Sequence, residues 1–204
     1  MRNLFTLDQQ FERLDMPDAE VSVLHGLPLP LPPEALFNAL YEQTVWHERP
    51  IIMYGKPMMQ PRLMAWYGDP RADYSYSGLK MERQDWSPLL SDIKTRLEDA
   101  CEVRFNSVLL NLYRNERDSM AMHADNEREL GGEPVIASLT LGATRMFVMK
   151  HRKRRDVPSW HIPLVAGDVL LMRGYTQTFW NHGVPKQTQP CGARINLTFR
   201  TIVS

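Results

Sequence analysis

The sequence predicts a mainly β fold with flanking helices: a double-stranded β-helix, or jelly roll, behind two N-terminal buttressing helices. Three observations carry this. After Phe105 the chain passes through eight short strand-like stretches, broken by Gly131-Gly132, Gly142, Gly167-Asp168, Gly174 and Pro190-Cys191-Gly192. Ahead of them, two apolar stripes with helical spacing each begin at a proline. The 204 residues, 43% hydrophobic, suit one sizeable core better than two.

Taken in order, residues 1–20 show no strong period and read as a loosely packed lead-in, and V-S-V-L at 21–24 reads as a strand. The prolines of P-L-P-L-P-P at 28–33 exclude a helix interior, but the last of them suits a helix's first turn. Ala35, Leu36, Ala39 and Leu40 then mark one buried face of a helix over 33–45. From Pro50 to Gly78 methionines, tyrosines and Trp66 are interleaved with Gly and Pro. This hairpin-rich segment fits a satellite hydrophobic cluster, or a platform on which a planar base stacks. Ser87 before Pro88 is an N-cap signal, and Leu89, Leu90, Ile93, Leu97 and Cys101 carry a second helix over 88–101. Strands follow at 107–113, 119–124, 134–141, 144–150, 159–164, 168–173, 179–184 and 193–202, enough for a double-sheet barrel with the helices on one outer face. The whole chain, 1–204, reads as one domain, with 1–105 an N-terminal extension and 106–204 the jelly-roll core.

Lys and Arg together number 24, as do Asp and Glu, so no overall charge argues for nucleic acid. The one basic cluster, His151 to Arg155, is either a solvated turn or a phosphate-neutralising patch. Two cysteines, Cys101 and Cys191, make neither a metal spacing nor a disulfide framework. With no signal-peptide pattern and no apolar run of membrane-spanning length, a soluble, cytoplasmic protein is expected, with the nucleus left open if the source is eukaryotic. A monomer is expected.

Candidate chemistry starts at M-A-M-H-A-D-N-E, residues 120–127, where His123 and Asp125 would share one face of an extended strand. Alone, the triplet also fits a solvated strand end or a His–carboxylate hydrogen bond. His182, in F-W-N-H-G-V-P, would complete the two-His, one-carboxylate triad of non-heme iron(II), which leaves positions open for co-substrate and dioxygen. It fits a satisfied core histidine as well. In R-I-N-L-T-F-R, Arg194, Asn196, Thr198 and Arg200 fall on one face and Ile195, Leu197 and Phe199 on the other. An amphipathic edge strand would show that alternation, but so would a dicarboxylate clamp built on guanidinium forks. Asn111 and Tyr113, two apart on a strand, would add an amide and a phenol.

Together these blocks resemble the AlkB family of iron(II)- and 2-oxoglutarate-dependent nucleic-acid dealkylases. The likeness covers about residues 50–202: P-R-L-M-A-W-Y-G-D at 61–69, Y-S-Y-S-G at 74–78, N-L-Y-R at 111–114, H-A-D-N-E at 123–127, V-I-A-S-L-T-L-G-A-T-R at 135–145, N-H-G-V-P-K at 181–186 and R-I-N-L-T-F-R at 194–200. It is strongest to the subgroup with the animal DNA-repair members. The resemblance implies a catalytic iron(II) centre on His123, Asp125 and His182, and 2-oxoglutarate on Asn111, Tyr113, Arg194, Asn196, Thr198 and Arg200. With O2 these would oxidatively demethylate N1-methyladenine and N3-methylcytosine in alkylated DNA, or in RNA, releasing formaldehyde. It further implies that the aromatic segment is a nucleotide-recognition lid, with Tyr74 and Tyr76 stacking on the base and Ser77 a polar contact. Tyr54 would be the wedge entering a duplex, Arg62 would lie near the nucleic-acid backbone, and Glu127 would complement a cationic base. Two departures stand out: Asn126 where the subgroup has an acid, and Tyr54 where it often has Phe. Other readings remain open: a 2-oxoglutarate oxygenase acting on a protein or small molecule, a non-enzymatic cupin-like module, and a structural nucleic-acid binder.

Overall fold

A computed structural model of the chain describes residues 10–53, 56–70, 72, 75–76, 79–80 and 82–203. Two proline-started helices appear where the sequence places them. The first, Pro33–Gln43, buries Leu36 and Leu40 and stops when Thr44 turns extended, two residues short of the expected end. The second, Pro88–Cys101, is capped by Ser87, whose hydroxyl accepts from the Leu90 amide at 3.2 Å, and ends at Glu102 in the left-handed conformation, φ 53°.

Eight strands form a large sheet in the order Glu12–Leu14, Glu20–Leu24, Val169–Arg173, Ile136–Gly142, Arg194–Arg200, Ser107–Tyr113, Leu63–Gly68 and Arg83–Gln84, antiparallel except for the last pair. Four more form a smaller sheet: Met120–His123, Trp180–Val184, Arg145–His151 and Trp160–Leu164. The two helices cover one face of the large sheet, where Leu36, Leu40, Leu90, Ile93 and Leu97 meet Leu139, Leu141, Ile195, Leu197 and Phe199. Between the sheets Ile136, Leu170 and Met172 pack with Phe147, Met149, Leu164 and Trp180. This is the jelly roll with its outer buttress, as expected. No helix among the described residues is long and apolar enough to cross a membrane.

Among the differences from the sequence reading, three bear on the frame of the barrel. Glu12–Leu14 is a strand within the expected lead-in, too short to carry a period and held by pairing with Glu20–Leu24. Leu63–Gly68, read as part of an aromatic segment, is an inner strand of the large sheet. Ala65 and Tyr67 face the helices while Met64 and Trp66 join another cluster, so a strand covered on both faces loses its polar alternation. Finally, Arg194–Arg200 lies between Ile136–Gly142 and Ser107–Tyr113 and is buried throughout, which rules out the edge-strand reading.

Candidate active site

Cross-strand pairing brings the two histidines together. His123 and His182 are register partners in adjacent antiparallel strands, with ring centroids 4.4 Å apart. Gly183 permits this approach, because a Cβ there would stand 2.8 Å from the Met120 carbonyl. Asp125 arrives differently than expected. The strand ends at His123, so Asp125 sits in the following coil rather than on a shared strand face, and its backbone N–H donates to Gln177 Oε1 at 3.0 Å. Gln177 belongs to the helical turn Thr176–Phe179 and is itself buried.

One candidate ligand atom from each of His123, Asp125 and His182 lies within 4.8 Å of the others, a geometry able to hold one metal ion. Asp125 is 1% exposed, with Oδ1 3.3 Å from His123 Nε2 and Oδ2 accepting from Arg200 Nη2 at 2.9 Å. Burial would raise its carboxyl, but the Arg200 charge and the two imidazoles outweigh that and hold it far below the usual carboxylate range. Burial, reinforced by His123, pushes the His182 imidazole down to about 3. An ionised carboxylate and a neutral imidazole are what a divalent cation binds. His123 Nδ1 is taken up by the Ala121 carbonyl at 2.9 Å, which orients the ring. Phe147 stacks on His182 at 5.2 Å, and His182 Nδ1 is buried with no hydrogen-bond partner. These residues fit an iron(II) centre.

Beside them is a buried polar wall on the inner face of the large sheet. Asn196 Nδ2 donates to Ser138 Oγ at 2.6 Å, Thr198 Oγ1 donates to Asn196 Oδ1 at 3.0 Å, and Arg194 Nη2 donates to Thr140 Oγ1 at 2.9 Å. Tyr113 donates its hydroxyl to Met120 Sδ at 3.7 Å. Burial pulls the Arg194 guanidinium down to about 10, still cationic at neutral pH; Tyr113 partly offsets the shift and the Arg145 charge adds to it. Arg194 Nε and Nη1 have no hydrogen-bond partner, and leaving a buried donor unmade costs roughly 1–3 kcal/mol. A dicarboxylate supplies the missing acceptors, so this wall fits 2-oxoglutarate.

The remaining expected site residues divide. Asn111 is buried on the same sheet, its Oδ1 accepting from Arg62 Nε at 2.8 Å. Arg62, expected near the nucleic-acid backbone, is 3% exposed and donates to Asn111 and the Ser119 carbonyl, which braces the wall, and it also lines a groove that opens beside His123. Asn126 is exposed and Glu127 half-buried at the entry to the turn Arg128–Leu130. Tyr54, Tyr74 and Ser77 lie outside the described residues, as does the side chain of Tyr76. The basic loop mostly serves its own chain: His151 is buried against Asp18, Arg152 donates to the Gln177 and Thr178 carbonyls, and Arg154 pairs with Asp156.

Sequence reasoning missed Ser138, Thr140 and Gln177. The first two were readable, since S-L-T-L alternates as R-I-N-L-T-F-R does; Gln177 left no signal, because only the fold brings it to Asp125. An open groove runs outward from His123 past Met58, Met59, Met122, Val148, His161 and Lys186.

Residues 21–200 match the 2OG-Fe(II) oxygenase superfamily. The chain belongs to that superfamily. It is 42% identical over 177 residues to the alpha-ketoglutarate-dependent dioxygenase alkB homolog 3 of Bos taurus, a match covering 83% of this chain and 61% of the relative. The human protein of the same name is 42% identical over 175 residues, 82% and 60% of the two chains. The DNA oxidative demethylase ALKBH2 of Mus musculus is 36% identical over 157 residues, 74% and 66%. These are the AlkB relatives, animal DNA-repair members included, that the motifs implied. The chain spans about three fifths of the length of the alkB homolog 3 proteins. A structure titled as that of OsALKBH1 superposes with a TM-score of 0.64 at 18% identity, covering 94% of this chain and 100% of that one, a likeness of fold.

Proposed function

We propose that the chain is an iron(II)- and 2-oxoglutarate-dependent DNA oxidative demethylase, acting as a monomer on N1-methyladenine and N3-methylcytosine, with RNA as a second substrate class. The observation that carries the reading is the close-set His123, Asp125 and His182 beside the Arg194 donors that lack an acceptor. Relatives named as DNA oxidative demethylases support the substrate class. One domain does the work: residues 106–204 carry the site residues of the barrel, and 1–105 add the helices, the lid and four strands of the large sheet, Glu12–Leu14, Glu20–Leu24, Leu63–Gly68 and Arg83–Gln84.

In this reading His123, Asp125 and His182 hold the metal, and Arg194, Arg200, Asn196, Thr198, Asn111 and Tyr113 surround 2-oxoglutarate. Bound there, iron(II), 2-oxoglutarate and dioxygen supply an oxidant that hydroxylates an N-methyl group, which leaves as formaldehyde, with succinate and carbon dioxide as by-products. Arg200 keeps Asp125 ionised and fixed, Gln177 anchors the Asp125 backbone, and Ala121 sets the tilt of His123. Phe147 and Met120 line the chamber with apolar surface that limits water. The groove past Met58, Met122 and Lys186 admits a base on a polyanionic strand, and Tyr54, Tyr74, Tyr76 and Ser77 complete its recognition.

The test is mass spectrometry of methylated DNA and RNA oligonucleotides incubated with protein, iron(II), 2-oxoglutarate and ascorbate. Loss of one methyl mass with stoichiometric succinate is expected. Succinate formed while every oligonucleotide stays methylated would point instead to a protein or small-molecule substrate.

A further inference from the structure

Arg145 has no part in the site as assigned above, yet it is 1% exposed, one of the largest fully buried side chains. It opens the strand Arg145–His151, where buried and exposed positions alternate, and lies on the inward face. Its Nη1 donates to the Asn115 carbonyl at 3.0 Å, and its Nη2 to the carbonyls of Asp118 at 2.9 Å and Pro185 at 2.7 Å. Asn115 and Asp118 follow the strand that ends at Tyr113, and Pro185 follows the strand that carries His182. One guanidinium thus ties both strand ends together.

The same guanidinium lies 5.7 Å from the centre of the Tyr113 ring, and the Arg194 guanidinium lies 5.3 Å from it. Two permanent cations meet on one aromatic ring. The Asp118 carboxylate is bonded by Arg114 through Nε and Nη2, and Arg145 meets it only as a weaker, unbonded charge. Arg145 Nε, Arg194 Nε and Arg194 Nη1 are all buried without a hydrogen-bond partner. Like charges held together and donors left unmade both disfavour the empty arrangement, and a bound anion relieves both.

We propose that Arg145 is a positioning residue for the far carboxylate of 2-oxoglutarate: it holds Tyr113 against Arg194 and adds a second buried positive charge at that end of the chamber. The inference rests on the proposed 2-oxoglutarate site. Arg145 need not touch the dicarboxylate; it acts through Tyr113 and through its field.

Calorimetric titration of 2-oxoglutarate into the manganese(II)-loaded full chain tests this. Arg145→Met should raise the 2-oxoglutarate Kd about tenfold or more, the loss of one charge-assisted contribution, while the affinity for manganese(II) alone stays unchanged. Arg145→Lys, which keeps the charge, should give a smaller rise and carries the test if Arg145→Met does not fold. In a Tyr113→Leu background the effect of Arg145→Lys should shrink toward none, because the shared ring is gone. An unchanged 2-oxoglutarate Kd, a parallel fall in manganese(II) affinity, or factors that simply multiply in the double variant each overturn the inference. Absence of 2-oxoglutarate binding by the unsubstituted protein would overturn the site reading, and this inference with it.

Discussion

On the helix side of the Arg194–Arg200 strand, Ile195, Leu197 and Phe199 are wholly buried among apolar neighbours; on the chamber side, Arg194, Asn196, Thr198 and Arg200 are at most 8% exposed. Burial does not separate the two faces. What separates them is unused hydrogen-bonding capacity: the helix side has none to use, while Arg194 keeps two donors without an acceptor and His182 keeps a ring nitrogen. A core satisfies itself, and a site leaves capacity for its ligand.

The sharpest way to break this contrast is at the triad. His123→Ala, Asp125→Ala and His182→Ala should each abolish succinate release in iron-limited assays, since losing one of three ligands costs both affinity and geometry. Asp125→Ala should also destabilise the fold by about 3–5 kcal/mol, because Arg200 is left buried without its carboxylate. Near-normal turnover by any of the three would remove that residue from the metal centre. Arg194→Lys and Arg200→Lys keep charge but lose the planar fork, so the 2-oxoglutarate requirement should rise by the equivalent of roughly 2–5 kcal/mol. Titrations that overlay the unsubstituted protein would return this face to a structural role.

Leu197→Ala makes the opposite test from the helix side. Denaturant unfolding should show a loss of about 2–5 kcal/mol, while the 2-oxoglutarate Kd of the folded fraction stays put. A Kd that moved with stability would mean the faces are not separable. The mildest change is at Cys101, whose thiol burial pushes up to about 11 against a partial offset from Arg173. A raised thiol stays protonated below that value, so at pH 8 native protein should alkylate only at the half-buried Cys191, and at both cysteines once unfolded. Mass spectrometry of the labelled peptides decides it.

Much of this was legible in the sequence, and for identifiable reasons. The proline-started helices and the Arg194–Arg200 alternation are local signals, and the strand on which they converge is where the structure puts its polar wall. The distance between His123 and His182 was not local: it depends on a register pairing between positions 59 apart in the chain, 123 and 182, and on Gly183. The bracing of the wall by Arg62 was not local either, because its partner Asn111 is 49 residues away. Gln177 and Arg145 were silent for the same reason, since their roles exist only where distant strands end together.

The most direct test of a metal-centred dicarboxylate site is anaerobic calorimetry of 2-oxoglutarate with the iron(II)-loaded and the metal-free chain. Metal should tighten binding by about tenfold or more, as expected when co-substrate and ion share ligands, and His182→Ala should erase that gain. Equal affinity with and without metal, or a gain that survives His182→Ala, would contradict the account.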